Sequence, residues 1–525
     1  MGLIHLESHF TDEKAGLLRA ETYRRLRRHW QFINELILFE IEHHKRYGVN
    51  IYSASREPHF VQAASLYHPD MVERSLRHDG SGVEPGIKDP DGNWDQRPHS
   101  SRIVHVNRDT LTSWHAVLET DEIPVGQTRM VYAVNQSTAD VLDKLAQAPR
   151  IGSLGLQFSR GWDESIDRKK GLFDAEWGVP EFWGEVILQG PHLHVATPFY
   201  KTPNPTMLHN QDWTTTDFEA LATDAIPATA YKPRGDRGKY DAAYTHWTSK
   251  PEGSVIAARD HFRLAWRNMA ANTGERTLIP ALIPPGAAHV DGIYSLAVPA
   301  DPRVLVSLAA SMSSLISDFA VRVAPKSTIR SGTASRLPQG FTDRTRSELL
   351  LRTLRLNCVN YAYAKLWEEC FDTSFRTDEW APGSADSLST RIGEVGPEWT
   401  PETPLRRAVD RRQAILEVDA LVALSLGITA DELCTIYRTQ FPVLHGYDTR
   451  STYYDGNGRL VPSAILTQWR RRGMNDGTYT DDELAEKHRG SGIAYQYVVP
   501  FIRLDRERDL RAAYAEFMRR VTSRS

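Results

Sequence analysis

The chain has 525 residues with 41% apolar and 10% aromatic content, so it is long enough for roughly two to four domains with packed cores. Its net charge of −4 at pH 7 argues against a protein that coats nucleic acid without specificity, because phosphate contacts require a surplus of lysine and arginine. The sequence contains no apolar run of about eighteen residues and starts with a polar segment, so it predicts a cytoplasmic protein without a membrane partner.

The first predicted element is a long amphipathic helix from Tyr23 to His44. Its apolar residues recur at helical spacing on one face: Leu26, Trp30, Ile33, Ile37 and Ile41. A helix of this kind needs a partner surface, so we interpret residues 1–53 as an N-terminal bridging helix.

Residues 54–150 are predicted to combine a loop-rich insertion with a small α/β layer. His, Asp, Gly and Pro are frequent up to about residue 100. Two short strand–helix units follow, and they start at Arg102 and Arg129. Two such units are too few to indicate a repeat protein.

Residues 151–345 are predicted to form a mixed α/β core, with many aromatic, glycine and proline residues and short strands. The segment WRNMAANTGERTLIPALIPPG, from Trp266 to Gly286, is its most informative part. The residues from Arg263 to Met269 have helical spacing, which ends at Asn272. TLIPALI then predicts a short buried strand, closed by a turn at Pro284, Pro285 and Gly286.

Residues 346–525 are predicted to be mainly helical. One helix is expected from Ser347 to Phe371, a loop from about 373 to 403, and a second helix from Leu405 to Leu426 that ends at Gly427. Thr429 and Glu432 have capping-box spacing, and a further helix follows Asp505. The predicted fold class is therefore α+β.

The sequence lacks the motifs of a methyltransferase or nuclease active site. An adenine-N6 methyltransferase requires a glycine-rich turn and an (Asn/Asp)-Pro-Pro-(Tyr/Phe) loop that holds the flipped base. The nearest segment, Asn204 to Met207, lacks the second proline and the aromatic residue. Pro69-Asp70 has no acid-x-lysine partner on a following strand for a nuclease metal site. We therefore predict no catalytic residue in this chain.

Metal and cofactor sites are not predicted either. His192 and His194 share one strand face but have no third ligand nearby, so surface or hydrogen-bonded histidines are favoured. The three cysteines have no metal-ligand spacing and are interpreted as buried small side chains: Cys358, Cys370 and Cys434. The lone Gly-x-Gly sequences do not open a helix after a strand.

What the sequence does offer is the chemistry of DNA recognition. Arg, Lys, Asn and Gln on loops bind base edges, and further basic residues hold phosphates. Between Arg322 and Arg355 there are eight basic residues and two acidic ones. Two loops, Lys201–Trp213 and Asn272–Arg276, have the composition for base contacts. The predicted DNA-binding residues are Lys201, Asn204, Asn210, Gln211, Asn272, Arg276, Lys326 and Arg330.

Each of these predictions has a structural alternative. Asn272 and Thr273 could end a helix in a turn, and Arg276 could pair with Glu275 or with another neighbouring side chain. The basic stretch could be a solvated face, which is the usual role of a charge run.

Four segments, in this order, resemble the region downstream of the methylase domain in type IIG-like and phage-defence adenine-N6 DNA methyltransferases. They are RRLRRHWQFINELILF, WGEVILQGPHLHVATPFYKTPNP, SDFAVRVAPKSTIRSGTASRLP and RRAVDRRQAILEVDALVALSLGITADELCTIYRTQFPVL. The segment from Trp266 to Gly286 is similar to a hallmark of the same recognition half. The resemblance covers the chain from about Tyr23 to Asp455, and the family's methylase motifs would precede its first segment.

The resemblance implies that residues 151–345 are the target-recognition core and residues 346–525 the helical C-terminal domain of a split restriction-modification or phage-defence system. This chain would bind duplex DNA and position a separate methyltransferase subunit that holds S-adenosylmethionine. The first alternative is an enzyme with atypical methyltransferase or nuclease motifs, which would carry its own cofactor or metal. The second is a structural subunit of a defence complex, which salt-sensitive DNA binding would exclude.

Overall fold

The structure is a computed structural model of the chain and describes residues 1–207, 212–248, 253–324, 327–385, 388, 390–475, 477 and 479–523. The architecture is α+β, with several small sheets and a helical C-terminal region, as the sequence predicts. The largest hydrophobic core runs from Phe10 to Phe517 and so includes residues from all parts of the chain. The division into four domains stays a prediction.

The N-terminal part is a five-stranded sheet packed against helices. The strand order is β1-β3-β2-β4-β5, and all neighbours are antiparallel except the parallel pair β2–β4. Its strands are β1 (Gly2–Leu6), β2 (Leu26–Ile33), β3 (Arg46–Tyr52), β4 (Phe60–Leu66) and β5 (Val104–Val106). Its helices are α1 (Ser8–Thr11), α2 (Gly16–Arg25), α3 (Asp70–Leu76), α4 (Arg108–Leu118) and α5 (Gln136–Gln147).

The predicted bridging helix from Tyr23 to His44 is wrong. Helix α2 ends at Arg25, and β2 begins at Leu26 in the middle of the sheet. Leu26 and Trp30 are buried inside this chain and are therefore not available to a partner. The spacing of the apolar residues fitted a helix. In the fold, however, β3 and β4 pair with this segment on both sides and provide hydrogen bonds for its backbone groups, so it forms a strand.

The predicted loop-rich insertion is more regular than expected, because β4 and α3 lie within it. The first strand–helix unit is confirmed as β5 and α4, and Asn107 caps α4 in a capping box. Of the second unit only the helix α5 forms, and Met130 to Val134 is not a strand.

The middle of the chain contains short strands and a four-stranded antiparallel sheet of order β17-β16-β19-β6. Its elements are β6 (Gln157–Ser159), α6 (Ile166–Lys169), β7 (Phe173–Gly178), β8 (Ile187–Leu188), β9 (Leu193–His194), β10 (Thr197–Pro198), β11 (Lys201–Pro203), β12 (Trp213–Thr215), β13 (Thr229–Pro233), α7 (Arg237–Ala243), β14 (His246–Thr248), β15 (Val255–Ala257), β16 (Arg263–Arg267), β17 (Pro280–Ile283), β18 (Ala288–His289) and β19 (Ile293–Ala297).

The segment with helical spacing from Arg263 to Met269 begins with the strand β16 and is not a helix, so that prediction is wrong. It pairs on both sides, with β17 and with β19, and these ladders override the local spacing. The buried strand in TLIPALI is confirmed as β17, and all four of its residues are buried. A turn follows it, and Gly286 there has a φ of 89°, a conformation that favours glycine.

The last part of the chain is mainly helical. Its elements are α8 (Pro302–Ser313), α9 (Leu315–Val323), α10 (Ser331–Ala334), α11 (Arg346–Asn357), α12 (Ala364–Cys370), α13 (Ala408–Ser425), α14 (Ala430–Gln440), α15 (Pro442–Gly446), α16 (Ser463–Arg471), β20 (Ala485–Lys487), β21 (Ala494–Gln496) and α17 (Arg506–Ser523). The predicted end of α13 at Gly427, the capping box of α14 and the helix after Asp505 are confirmed.

The single helix predicted from Ser347 to Phe371 is wrong, because it breaks between α11 and α12. Asn357 accepts a hydrogen bond at Oδ1 from the Leu282 backbone in β17, at 2.9 Å. Asn360 then caps the 3₁₀ turn Tyr361–Tyr363 through the amide of Ala362. Two asparagines whose side chains bond to backbone groups thus end one helix and start the next.

Within the described residues, no single helix is long and apolar enough to cross a membrane. Helices α8 and α9 meet the length and composition criteria only as a pair, bent by 63° at the break between them.

Candidate nucleic-acid interface

Three loops meet around the end of β16. The β16–β17 loop is joined to the segment that follows α9, because Ile329 N donates to Asn268 O at 2.7 Å and Ala270 N donates to Ser327 O at 3.0 Å. On its other side, Arg267 donates to the carbonyls of Gly190 and Leu193. We call the surface formed by residues 190–204, 268–277 and 327–330 the three-loop face.

The side chains of His194 and Glu275 connect two of these loops. His194 Nε2 lies 2.7 Å from Glu275 Oε1, and both side chains are partly exposed. The His194 ring also packs on Tyr200, with ring centroids 4.6 Å apart. Burial opposes ionisation of Glu275, but the hydrogen bond and charge of His194 lower the pKa of this carboxyl below its usual value. This pair holds the β16–β17 loop beside the strand that leads to Lys201.

A buried carboxylate also holds the β16–β17 loop in place. Asp318 on α9 is fully buried and accepts hydrogen bonds from Thr277 N at 3.0 and 3.1 Å. It pairs with Arg276 at 2.7 Å and with Arg322 at 3.3 Å. Arg322 donates in turn to the carbonyls of Gly274 and Glu275. The loop is therefore fixed at its C-terminal end and exposed near Asn272.

Arg276 does not reach the surface as the sequence suggested. Its side chain is buried, pairs with Asp318 and donates to Ser313 O at 2.7 Å. A guanidinium engaged in this way cannot contact a base edge without breaking a buried ion pair. We therefore remove Arg276 from the predicted base contacts, and the alternative of a salt bridge to a neighbour is the correct one.

Asn204 is also engaged within the protein. It lies just after β11, and its amide donates to Asp212 Oδ1 at 2.7 Å and accepts from Thr214 Oγ1 at 2.7 Å. The side chain closes the β11–β12 hairpin, so the prediction of an amide free for DNA is not supported by its contacts. The neighbouring predictions Asn210 and Gln211 lie outside the described residues, as does Lys326.

Three predicted residues remain accessible on the three-loop face. Lys201 is half-buried, and its Nζ lies 5.4 Å from the Tyr200 ring centroid. Asn272 is exposed and accepts from Thr277 Oγ1 at 3.1 Å, which orients its amide. Arg330 is exposed just before α10. Met269, 72% exposed, lies between them in sequence and pairs with Thr328 in an isolated bridge.

The basic stretch from Arg322 to Arg355 is largely internal, which corrects its interpretation as a phosphate-binding surface. Arg352 is fully buried between Asp378 and Glu417. Arg355 is fully buried and donates to the carbonyls of four residues, which are Thr403, Arg391, Ile392 and Glu402. The positive charge of this stretch is used to join elements of the core. Of the described members, Arg330 and Arg344 are exposed.

The histidines act as hydrogen-bonding groups, as the sequence indicated. His192 is buried, and its Nε2 lies 3.0 Å from Ala228 O. Burial lowers the pKa of His192 to about 4, so the ring is neutral at pH 7. Among the described residues, no group of three or more His, Cys, Asp and Glu side chains is placed to hold a metal ion. The three cysteines are free and buried.

Sequence inspection missed the roles of His194, Glu275 and Asp318. The sequence indicated His194 as a surface or hydrogen-bonded histidine without naming its partner, and Glu275 only as a partner of Arg276. The alternation in HLHV gave no signal, because it places both histidines on one strand face, whereas His192 is buried and His194 is partly exposed. The i,i+4 spacing of Asp318 and Arg322 was a local signal, but the partners of Asp318 in the β16–β17 loop, Arg276 and Thr277, are more than forty residues away along the chain.

No protein-family model matches the chain, and no curated protein matches it either. Among solved structures, the chain is similar to the type IIG restriction endonuclease BpuSI, with 12% identity and a TM-score of 0.25. The alignment covers 80% of this chain and 47% of that protein, so the chain spans about half the length of the protein it matches.

Proposed function

We propose that this chain is the DNA-recognition part of a split restriction-modification or phage-defence system that methylates adenine N6. In this proposal it binds duplex DNA through the three-loop face and positions a separate methyltransferase subunit. Support comes from one observation above all. The segment that leads to Lys201, the loop that bears Asn272 and the segment after α9 that bears Arg330 are joined to one another, by the bond between His194 and Glu275 and by the backbone pairing of residues 268–270 with 327–329.

The chemistry of the accessible residues fits two kinds of contact. Lys201 and Arg330 carry charges that suit phosphates, which fix the position of a protein on the duplex. Asn272 has both a donor and an acceptor in its amide, which suits the edge of an adenine. The buried bonds of Asp318 and Arg322 hold the loop that bears Asn272, and a fixed loop loses less conformational entropy when it binds.

The decisive experiment measures binding of duplex DNA by fluorescence anisotropy over a series of salt concentrations. We expect the affinity to fall steeply with salt, and Lys201→Ala or Arg330→Ala to make the logarithmic salt slope shallower by about 1 each. Matched controls are Lys365→Ala and Arg376→Ala, two exposed cations outside the three-loop face, which should leave the slope unchanged.

Two results would contradict the proposal. If the wild-type chain does not bind duplex DNA at low salt, a structural role in a defence complex replaces recognition. If the control substitutions change the slope as much as Lys201→Ala does, DNA binds elsewhere on the chain and the three-loop face is not the interface.

A further inference from the structure

The N-terminal strand β1 is an open edge of the five-stranded sheet. It pairs with β3 on one side, and the sheet order places no described strand on its other side. Tyr52 N donates to Met1 O at 2.8 Å, which fixes the alternation of the antiparallel ladder. The backbone groups of Leu3 and His5 therefore point to β3, and those of Gly2, Ile4 and Leu6 point away from it. Of these outward groups, Leu6 O already lies 2.8 Å from His5 Nδ1.

This edge lacks the features that usually prevent strands from pairing with other chains. Proteins block exposed edges with prolines, lysines, bulges or inward-pointing charges. The sequence of β1 is GLIHL, without a proline or a lysine, and its pairing with β3 has no register shift. Five consecutive residues are thus in regular strand geometry with one side open.

The open edge continues into an exposed apolar surface. Ile4 and Leu6 share one face of the sheet because side chains alternate along a strand. Leu6 is opposite Tyr47 in the ladder, and the Phe39 ring packs edge-on against Tyr47 at 4.8 Å. We call this surface the apolar edge patch and define it by Ile4, Leu6, Leu36, Ile37, Leu38, Phe39 and Ile41.

The size of the patch is that of a protein interface. Its seven residues each leave between 39% and 69% of their surface exposed. This corresponds to an apolar area on the order of 600 Å², compared with roughly 800 Å² that each partner buries in a standard interface. Paired main chains and polar residues at the rim would supply the difference. Contiguous exposed apolar surfaces of this size mark interaction sites in proteins.

We propose that the apolar edge patch is a homodimer interface in which β1 pairs antiparallel with β1 of a second copy. The outward-pointing residues are symmetric about Ile4, so a two-fold axis there pairs Ile4 with Ile4 of the second copy and Gly2 with Leu6. Such self-complementarity is the condition for a closed two-fold interface. The two sheets then become one continuous sheet, in which Ile4 of each copy lies beside Ile4 of the other and Leu6 of each copy lies beside Gly2 of the other. This proposal is independent of the proposed DNA recognition.

The test is the molar mass of the full chain in solution, measured by light scattering after size-exclusion chromatography in the tens-of-micromolar range. We expect twice the chain mass of 59.4 kDa for the wild type. Ile4→Lys places two like charges at the axis, and we expect it to weaken dimerisation by about 100-fold or more. Ile166→Lys is the matched control, because Ile166 is 54% exposed against 57% for Ile4 and lies outside the patch. It should remain a dimer.

A second variant separates main-chain pairing from apolar contact. Ile4→Pro removes an outward N–H and leaves the ladder to β3 intact, so the folded chain should be monomeric with an unchanged circular dichroism spectrum. A monomeric wild type would overturn the proposal. A dimer that persists in both Ile4 variants would overturn it as well, because its interface would lie elsewhere.

Discussion

Arg276 and Asp318 form an ion pair in the protein interior, with Nε and Oδ2 2.7 Å apart and with 6% and 0% of their side chains exposed. The same carboxylate accepts from the Thr277 backbone and pairs with Arg322. Asp318 on α9 thus holds the C-terminal end of the β16–β17 loop through its bonds to Arg276 and Thr277 and through its ion pair with Arg322. Arg276 determines the conformation of the loop that bears Asn272, and its guanidinium is not presented to DNA.

The first prediction concerns this carboxylate. Asp318→Asn removes the carboxylate that forms ion pairs with two buried guanidinium groups, so we expect the free energy of unfolding to fall by about 3 to 5 kcal/mol. Urea denaturation measures the change. The matched control is Glu369→Gln, which breaks the exposed pair with Lys365 and should cost less than about 1 kcal/mol. Equal effects of the two substitutions would show that the buried network does not hold the fold.

The second prediction is a pH dependence at Asp419, which accepts from Leu315 N at 2.7 Å at the start of α9. Burial raises the pKa of Asp419 from 3.8 to about 6, against the opposing charges of Arg276 and Arg506. A raised pKa means that the folded protein binds this proton more tightly than the unfolded chain. The contribution of the bound proton to the free energy of unfolding is complete below pH 3.8 and is lost as the pH rises through 6.

Asp419→Asn tests the direction of this pH dependence, because asparagine keeps the acceptor for Leu315 N and does not titrate. Between pH 4 and pH 7 the wild type should lose about 2 kcal/mol of unfolding free energy relative to the variant. Denaturant unfolding at a series of pH values gives both curves. Two parallel curves would mean that Asp419 has an ordinary pKa in the folded protein.

The third prediction separates residues that specify the site from residues that position the chain. Asn272→Ala should cost roughly 1 to 3 kcal/mol on the preferred DNA site and little on other sequences. Lys201→Ala should weaken binding to all sequences alike. The preferred site comes first, from sequencing of modified adenines in cells that carry the intact system. If both variants lose affinity with the same sequence dependence, Asn272 does not contact a base.

The fourth prediction concerns the cofactor. We propose that S-adenosylmethionine binds to the separate methyltransferase subunit, because this chain has neither the glycine-rich turn nor the (Asn/Asp)-Pro-Pro-(Tyr/Phe) loop. Isothermal titration of the cofactor into the purified chain should give no heat of binding. A dissociation constant in the micromolar range or below would instead favour an enzyme with atypical motifs.

Local sequence signals predicted the elements that depend on local contacts. Thr429 and Glu432 form the capping box of α14 within four residues of chain. Gly427 ends α13 with a φ of 66°, which a side chain would oppose. The buried strand β17 and the turn after it followed from a short apolar run and from Pro284 to Gly286. The α+β class followed from the same kinds of signal.

Distant contacts decided the rest. Whether Leu26–Ile33 is a helix or a strand depends on β3 and β4, which offer hydrogen bonds on both sides, and helical spacing cannot report them. Whether an arginine can bind DNA depends on whether a carboxylate lies beside it in the fold. Arg276 forms an ion pair with Asp318, which is 42 residues away along the chain, and Arg352 forms one with Glu417, which is 65 residues away. The sequence by itself determined which residue types were available for DNA. Only the tertiary structure decided which remain free, because a buried charge must be paired within the fold and a charge at the surface is hydrated by water.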